Sequence, residues 1–476
     1  MTSTRRNFIK ALGASTVAAT AMSGAPSVFT AQAAETSGYK ALVCVFLFGG
    51  LDNHDVILPY DQSSYDQFVQ LRSSLVAQQS ATRARNALLP LTPASSTVLQ
   101  GRRIALPPEM PQLRALFDQR RLAIVGNVGP LIEPVTRARF ESGAARLPPR
   151  LFSHNDQQAT WQSSMPEGAQ FGWGGLFADA VLASGANNGS AQFATIATEE
   201  VGPFLTGRNA VPYRVSASGA ARLDFLDDFY ADVADQQAEF LSAVRTQLSA
   251  SSYRGNHILE QDMATAFSTG LATNTAYDQA RSNGLALNTV FPASALSGQL
   301  RAVAETINVR SQLNANRQIF FVGIGGFDTH SGQAASLPRL LSEIDGALAA
   351  FNTAMNELGL SRDVTLFTAS DFGRTLAVNG DGTDHGWGGH YFVLGGAVNG
   401  GELYGSLPPP AFGHGQDSGG GRLIPSIAVE QYAAALGRWF GLSSSELATA
   451  LPNLGNFDAL PQSYISTGGR EWKLQG

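Results

Sequence analysis

The chain has 476 residues, with 32 Lys and Arg against 38 Asp and Glu, and this net charge of −6 argues against nucleic acid as a partner. A hydrophobic fraction of 44% is that of a globular protein, and no stretch beyond the N-terminal segment is long and apolar enough to span a bilayer. The single cysteine, Cys44, permits no intrachain disulfide, so an exported form must be held by its core or by bound metal.

In chain order, Thr4-Arg5-Arg6-Asn7-Phe8-Ile9-Lys10 sets two arginines ahead of an apolar residue and a lysine. A weakly hydrophobic Ala/Gly-rich run follows from Ala11 to about Ser27, and Ala31-Gln32-Ala33 supplies the small-x-small pattern a signal peptidase cuts. Residues 1–33 therefore read as a twin-arginine signal peptide. The mature chain would cross folded, into the periplasm or beyond the cell, with no integral membrane segment left after cleavage.

Ala41–Phe48 is an unbroken β-branched and aromatic run that predicts a strand buried on both faces. Arg121–Gly126, Gln318–Ile324 and Asp363–Thr368 repeat the pattern, each ending in a loop rich in Gly, Ser, Asp or His. Helices are expected at Asp156–Ser164, Ala221–Leu248, His257–Ala280, Leu300–Leu313, Leu337–Leu358 and Ile427–Phe440. This alternation gives an α/β fold with a mostly parallel central sheet and helices on both faces. Residues 34–476 read as a single domain, with insertions at about 60–119 and 204–298.

In such a sheet, chemistry gathers beyond the carboxyl ends of the strands. Four polar clusters fall there, around Asp52-Asn53-His54, Ser153-His154, Asp328-Thr329-His330 and Asp371-Phe372-Gly373-Arg374, the last running on to His385. Five of the seven histidines (His54, His154, His330, His385 and His390) lie in or beside these clusters. Carboxylates and imidazoles from separate loops are the donor set of a divalent metal. Ser153 fits a helix cap, or a nucleophile aimed at the positive end of a helix. Arg374 fits a structural ion pair, or a fork that grips phosphate or sulfate. Asp417-Ser418-Gly419-Gly420 is similar to a serine-protease nucleophile segment, but Gln416 precedes it and the element order is wrong, so it reads as a loop.

The segments FLFGGLDNHDVILPY, LFSHNDQQATWQ, GGFDTH, SDFGRT and GTDHGWGGHYFVLGG resemble a bacterial family, the domain of unknown function numbered 1501. Its members commonly carry twin-arginine signals and resemble the alkaline phosphatase and sulfatase superfamily. The resemblance implies an alkaline-phosphatase-like fold with Asp52, Asp328, His330, Asp371 and His385 as metal ligands. Ser153 would be the nucleophile, with Arg374 and His154 as further catalytic groups. Phe372 departs from the pattern, since it stands where a ligand histidine is expected, and His54 or His154 would have to make up the set. The implied cofactor is a divalent metal (Zn, Mn, Mg or Ca), and the implied activity is hydrolysis of a phosphate or sulfate ester. The ligand would then be a small-molecule or polymeric anionic ester. A non-catalytic binding or assembly protein that keeps the fold is the alternative, and the sequence names no protein partner.

Overall fold

The apolar run after Lys40 can be satisfied only by cover on both sides, and it forms β1 (Lys40–Leu47), buried from Ala41 onward. Ala41, Val43, Val45 and Leu47 point into one core. Leu42, Cys44 and Phe46 point into a second core on the opposite face. The computed structural model describes residues 33–95, 99–198, 202–217, 219–220, 258–460 and 463–466, with four isolated positions between 239 and 246. Residues 1–32 of the expected signal peptide and most of the expected helix Ala221–Leu248 lie outside the described residues.

β1 is central in a ten-stranded sheet. It pairs in parallel with β9 (Arg317–Ile324) on one side and β10 (Val364–Ser370) on the other. Beyond β9 lie β6 (Thr195–Ala197), β7 (Tyr213–Ser216) and β8 (Gly219–Ala220). Beyond β10 lie β13 (Gly389–Leu394), β5 (Leu122–Gly129) and β14 (Glu402–Gly405), with β15 (Ile427–Ala428) also on β5. β13 is antiparallel to both β10 and β5, whereas β14 and β15 run parallel to β5. The fold is thus α/β with a mostly parallel sheet, and the four runs expected as strands, Ala41–Phe48, Arg121–Gly126, Gln318–Ile324 and Asp363–Thr368, lie in its interior as β1, β5, β9 and β10.

Helices Pro111–Asp118, Ala295–Asn308 and Gln333–Glu357 cover the first face. Trp173–Ala183, Val429–Phe440 and Ser444–Ala450 cover the second. The insertion after Tyr60 carries helices Gln62–Leu71 and Ser73–Gln78. It also carries part of a small antiparallel sheet of β2 (Leu58–Pro59), β3 (Leu89–Pro90) and β4 (Ile104–Leu106). A hairpin of β11 (Arg374–Asn379) and β12 (Gly382–His385) rises from the end of β10 and returns a histidine toward the sheet. Among the described residues, no helix is long and apolar enough to cross a membrane.

Candidate metal centre

Because β1, β9 and β10 run parallel, the loops carrying Asp52, Asp328 and Asp371 leave the sheet on the same side. Two glycines set how closely they approach. Gly49 has φ +114°, and a Cβ there would lie 2.3 Å from the Asp328 backbone nitrogen. Gly50 has φ +91°, and a Cβ there would lie 2.3 Å from the Phe372 ring. Any side chain at either position would drive the loops apart.

Asp328 is the meeting point. Its Oδ1 lies 3.2 Å from His385 Nε2 and 3.2 Å from His330 Nε2, and its Oδ2 lies 3.4 Å from His154 Nε2. Arg374 donates to Oδ1 at 3.1 Å. Burial pushes the Asp328 carboxyl up, but Arg374 and the two nearby histidines His154 and His330 outweigh it and hold the group below its ordinary range. His154, Asp328 and His385 each offer a ligand atom, and these atoms lie within 4.8 Å of one another. Two imidazoles and one carboxylate is a donor set that suits Zn²⁺ or Mn²⁺ better than Mg²⁺ or Ca²⁺.

The outer nitrogens of these rings supply the test of fit. His154 Nδ1 lies 2.6 Å from the Asp371 carboxylate, and His385 Nδ1 lies 2.8 Å from the Phe152 carbonyl. His330 Nδ1 faces Asp384 at 3.4 Å. An acceptor at Nδ1 requires a proton there, so each ring turns Nε2 inward, toward Asp328. His154 Nε2 is buried and has no hydrogen-bond partner, an orphaned lone pair aimed at the cluster. His330 and His385 bring their Nε2 atoms within 2.8 Å, a contact that needs one shared proton. A cation could replace that proton. The bond to Asp371, followed by the charges of Asp371 and Asp328, raises the His154 pKa. Burial lowers that of His385.

The remaining expected residues are distributed differently. Asp52 caps the short helix Asn53–Val56, and its carboxylate is buried, 2.6 Å from Arg72 Nη2 and 2.5 Å from Gln333 Nε2. It is engaged by those partners and is not among the converging ligand atoms. Burial alone would raise its pKa, yet the adjacent guanidinium holds it low. Asp371 is fully buried and touches the centre only through His154, while Gln158 donates to the same oxygen at 2.8 Å. Arg374 is also fully buried and donates to the carbonyls of Gly49, Phe327 and Thr383 besides Asp328. Gln333 accepts from Thr383 and donates to Asp52, so Arg72, Asp52, Gln333, Thr383 and Arg374 form one buried network ending on Asp328.

Ser153 stands at the N-cap of the helix His154–Ser163, but its hydroxyl makes no capping bond. The residue before it, Phe152, has φ +72°, a left-handed conformation costly for a bulky side chain. That twist turns the Phe152 carbonyl to His385, and Arg422 stacks 5.3 Å over the Phe152 ring while donating to the His385 carbonyl at 2.7 Å. Phe372 packs against both His154 and His385, at 4.9 and 4.7 Å, and the two histidine rings touch each other at 4.3 Å. Gln158 was readable in sequence as the position four residues after His154, on the same helix face. Arg72, Gln333 and the Phe152 carbonyl carried no such sign.

Among solved structures the chain is similar to the sulfatase PsFucS1 from Pseudoalteromonas sp., at 9% identity and TM-score 0.38, over 91% of this chain and 73% of that one. It is also similar to the C-terminal periplasmic domain of EcEptC from Escherichia coli in complex with zinc, at 10% identity and TM-score 0.30, over 76% and 74%. A third similarity is to the lipoteichoic acid synthase LtaP from Listeria monocytogenes, at 8% identity and TM-score 0.28, over 78% and 67%. No curated protein matches the chain in sequence. A family does: residues 39–418 match the one described as a protein of unknown function, DUF1501, and the chain belongs to that family.

Proposed function

We propose that this chain is an exported, metal-dependent hydrolase of phosphate or sulfate esters, with one divalent ion held by His154, Asp328 and His385. The observation that carries the reading is the inward set of Nε2 atoms, each fixed from behind, around a carboxylate that faces them. His330 is the nearest additional donor, at 3.2 Å from Asp328 and 2.8 Å from His385. A bound ion would supply positive charge against ester oxygens as they gain charge.

The chain's own groups would do the rest. Ser153 Oγ is free of a capping bond, adjoins His154 in sequence and begins a helix, which favours it as the nucleophile. Asp371 orients His154 and fixes which nitrogen turns inward. Arg374 positions Asp328, and the buried network behind it keeps that carboxylate from swinging away. Phe372, itself fully buried, packs its ring against both ligand histidines and helps to fix their orientation.

A second reading, a non-catalytic binding or assembly protein, is favoured by Phe372, because an aromatic ring occupies the place of a further ligand. Metal analysis of the natively purified protein, followed by aryl phosphates, phosphodiesters and sulfates, decides between them. About one equivalent of metal and turnover that falls with chelation support the hydrolase. Stoichiometric metal with no turnover on any ester supports the second reading, and absence of metal binding at micromolar zinc overturns the centre itself.

A further inference from the structure

Residues 34–38 occupy a receptor made by the rest of the domain. The compact unit begins at Ala33, one residue before this segment. Ala34 is only 9% exposed and belongs to the second core. Four consecutive carbonyls are captured. Arg317 donates to Glu35 at 2.8 Å, Ser37 at 3.1 Å and Gly38 at 2.6 Å, and Asn316 Nδ2 donates to Thr36 at 3.2 Å. Arg317 is buried, and its two remaining N–H groups go to the carbonyls of Phe440 and Asn316, so all five donors serve main chain and none a carboxylate. Asn187 holds Asn316 and Arg317 in place through both ends of its amide. Glu35 N–H donates to the Gly441 carbonyl at 2.8 Å, and a Cβ at Gly441 would lie 2.2 Å from Glu35 O.

The far end of this receptor has spare acceptor capacity. Ala34 N–H donates to Ser184 Oγ at 3.1 Å, and Ser184 Oγ lies 3.5 Å from Glu446 Oε1. The other Glu446 oxygen closes the cap of its own helix on Ser443. In an uninterrupted chain Ala34 has one N–H, which Ser184 satisfies, and the carboxylate beyond is left with a long contact.

We propose that residues 34–38 are the bound N-terminus of a processed chain, and that Ser184 and Glu446 form a niche for the α-ammonium released at Ala34. The inference rests on the twin-arginine signal reading and is independent of the hydrolase reading. Hydrolysis of the Ala33–Ala34 bond by an endoprotease consumes one water, leaving a carboxylate on Ala33 and an ammonium on Ala34. The ammonium gains two N–H donors and a charge, which turns the neutral contact at Ser184 and Glu446 into a charge-assisted one. Ala33 is exposed whereas Ala34 is buried. In the folded precursor residues 34–38 must therefore lift for cleavage and then reseat.

The full chain should be expressed in a bacterium with a working twin-arginine translocase, and the exported product's N-terminus read by mass spectrometry. The expected product begins at Ala34. Its α-amine should then be acylated at neutral pH with an amine-selective ester, with Lys40 and Lys473 as the other amines. Folded protein should react at Ala34 about tenfold more slowly than the same protein in denaturant. Glu446→Gln and Ser184→Ala should each recover most of that rate while circular dichroism stays unchanged. A product beginning elsewhere overturns the cleavage position and the inference with it. A product beginning at Ala34 that reacts equally fast folded and unfolded overturns the niche alone. If a variant fails to fold, the wild-type comparison still decides.

Discussion

Asp371→Asn tests whether Asp371 acts through His154 or binds metal itself. The change keeps the side chain's size and an acceptor oxygen but removes the negative charge 2.6 Å from His154 Nδ1. That charge is fully buried, so solvent does not screen its loss. A hydrogen bond to a charged group contributes about 1.5–3 kcal/mol. At about 1.4 kcal/mol per decade, losing it weakens the inward lone pair by one to two decades of affinity. Zinc affinity should therefore fall roughly 10–100-fold, the range of outer-shell substitutions at histidine-ligated metals. The assay is competition between apoprotein and a chromophoric chelator, with circular dichroism confirming the fold. Unchanged affinity would show that Asp371 does not support the ligand. A loss beyond about a thousandfold would place Asp371 in direct coordination, and either result refutes the arrangement argued above.

Arg72→Ala should destabilise the protein by about 3–5 kcal/mol in chemical denaturation, because it leaves the buried Asp52 carboxylate unpaired, and Asp52→Asn in the same background should recover part of the loss. Burial holds His54 at a pKa of about 4 and His390 at about 3, both below the ordinary value of 6.5. Neutral rings are therefore favoured in the fold. Stability present above pH 6.5 should be lost as pH falls toward 3, by up to about 1.4 kcal/mol per pH unit per proton, and His390→Gln should flatten a plot of melting temperature against pH. Ser153→Ala should retain metal by elemental analysis yet lose at least about a hundredfold in turnover on any ester the wild type cleaves, and equal turnover would pass the nucleophile's role to water. Replacing Arg5 and Arg6 together by Lys should leave precursor in the cytoplasm on immunoblots of cell fractions, and normal export of that variant would remove the twin-arginine reading.

The amino-acid sequence by itself determined the sheet's interior and the side of it on which polar groups collect. Ala41–Phe48, Gln318–Ile324 and Asp363–Thr368 carry apolar residues on both faces, so a doubly covered strand buries them, and in a parallel sheet their loops exit together. The antiparallel β13 escaped notice because Gly389–Leu394 follows directly on a glycine-rich loop and itself opens with Gly389 and His390, so its apolar residues do not stand apart from that loop.

What the sequence left undecided was which of several equivalent carboxylates face one another. Asp52, Asp328 and Asp371 each follow a parallel strand and look alike in a string of letters. Packing separates them. The insertion brings Arg72 onto Asp52, and the helix beginning at His154 interposes its imidazole between Asp371 and Asp328. The β11–β12 hairpin swings His385 back to complete the set. Those partners arrive from 20, 217 and 57 residues away. A carboxylate's role is set by the charge or donor within about 4 Å of it, and sequence spacing does not encode contacts that only the packed chain creates.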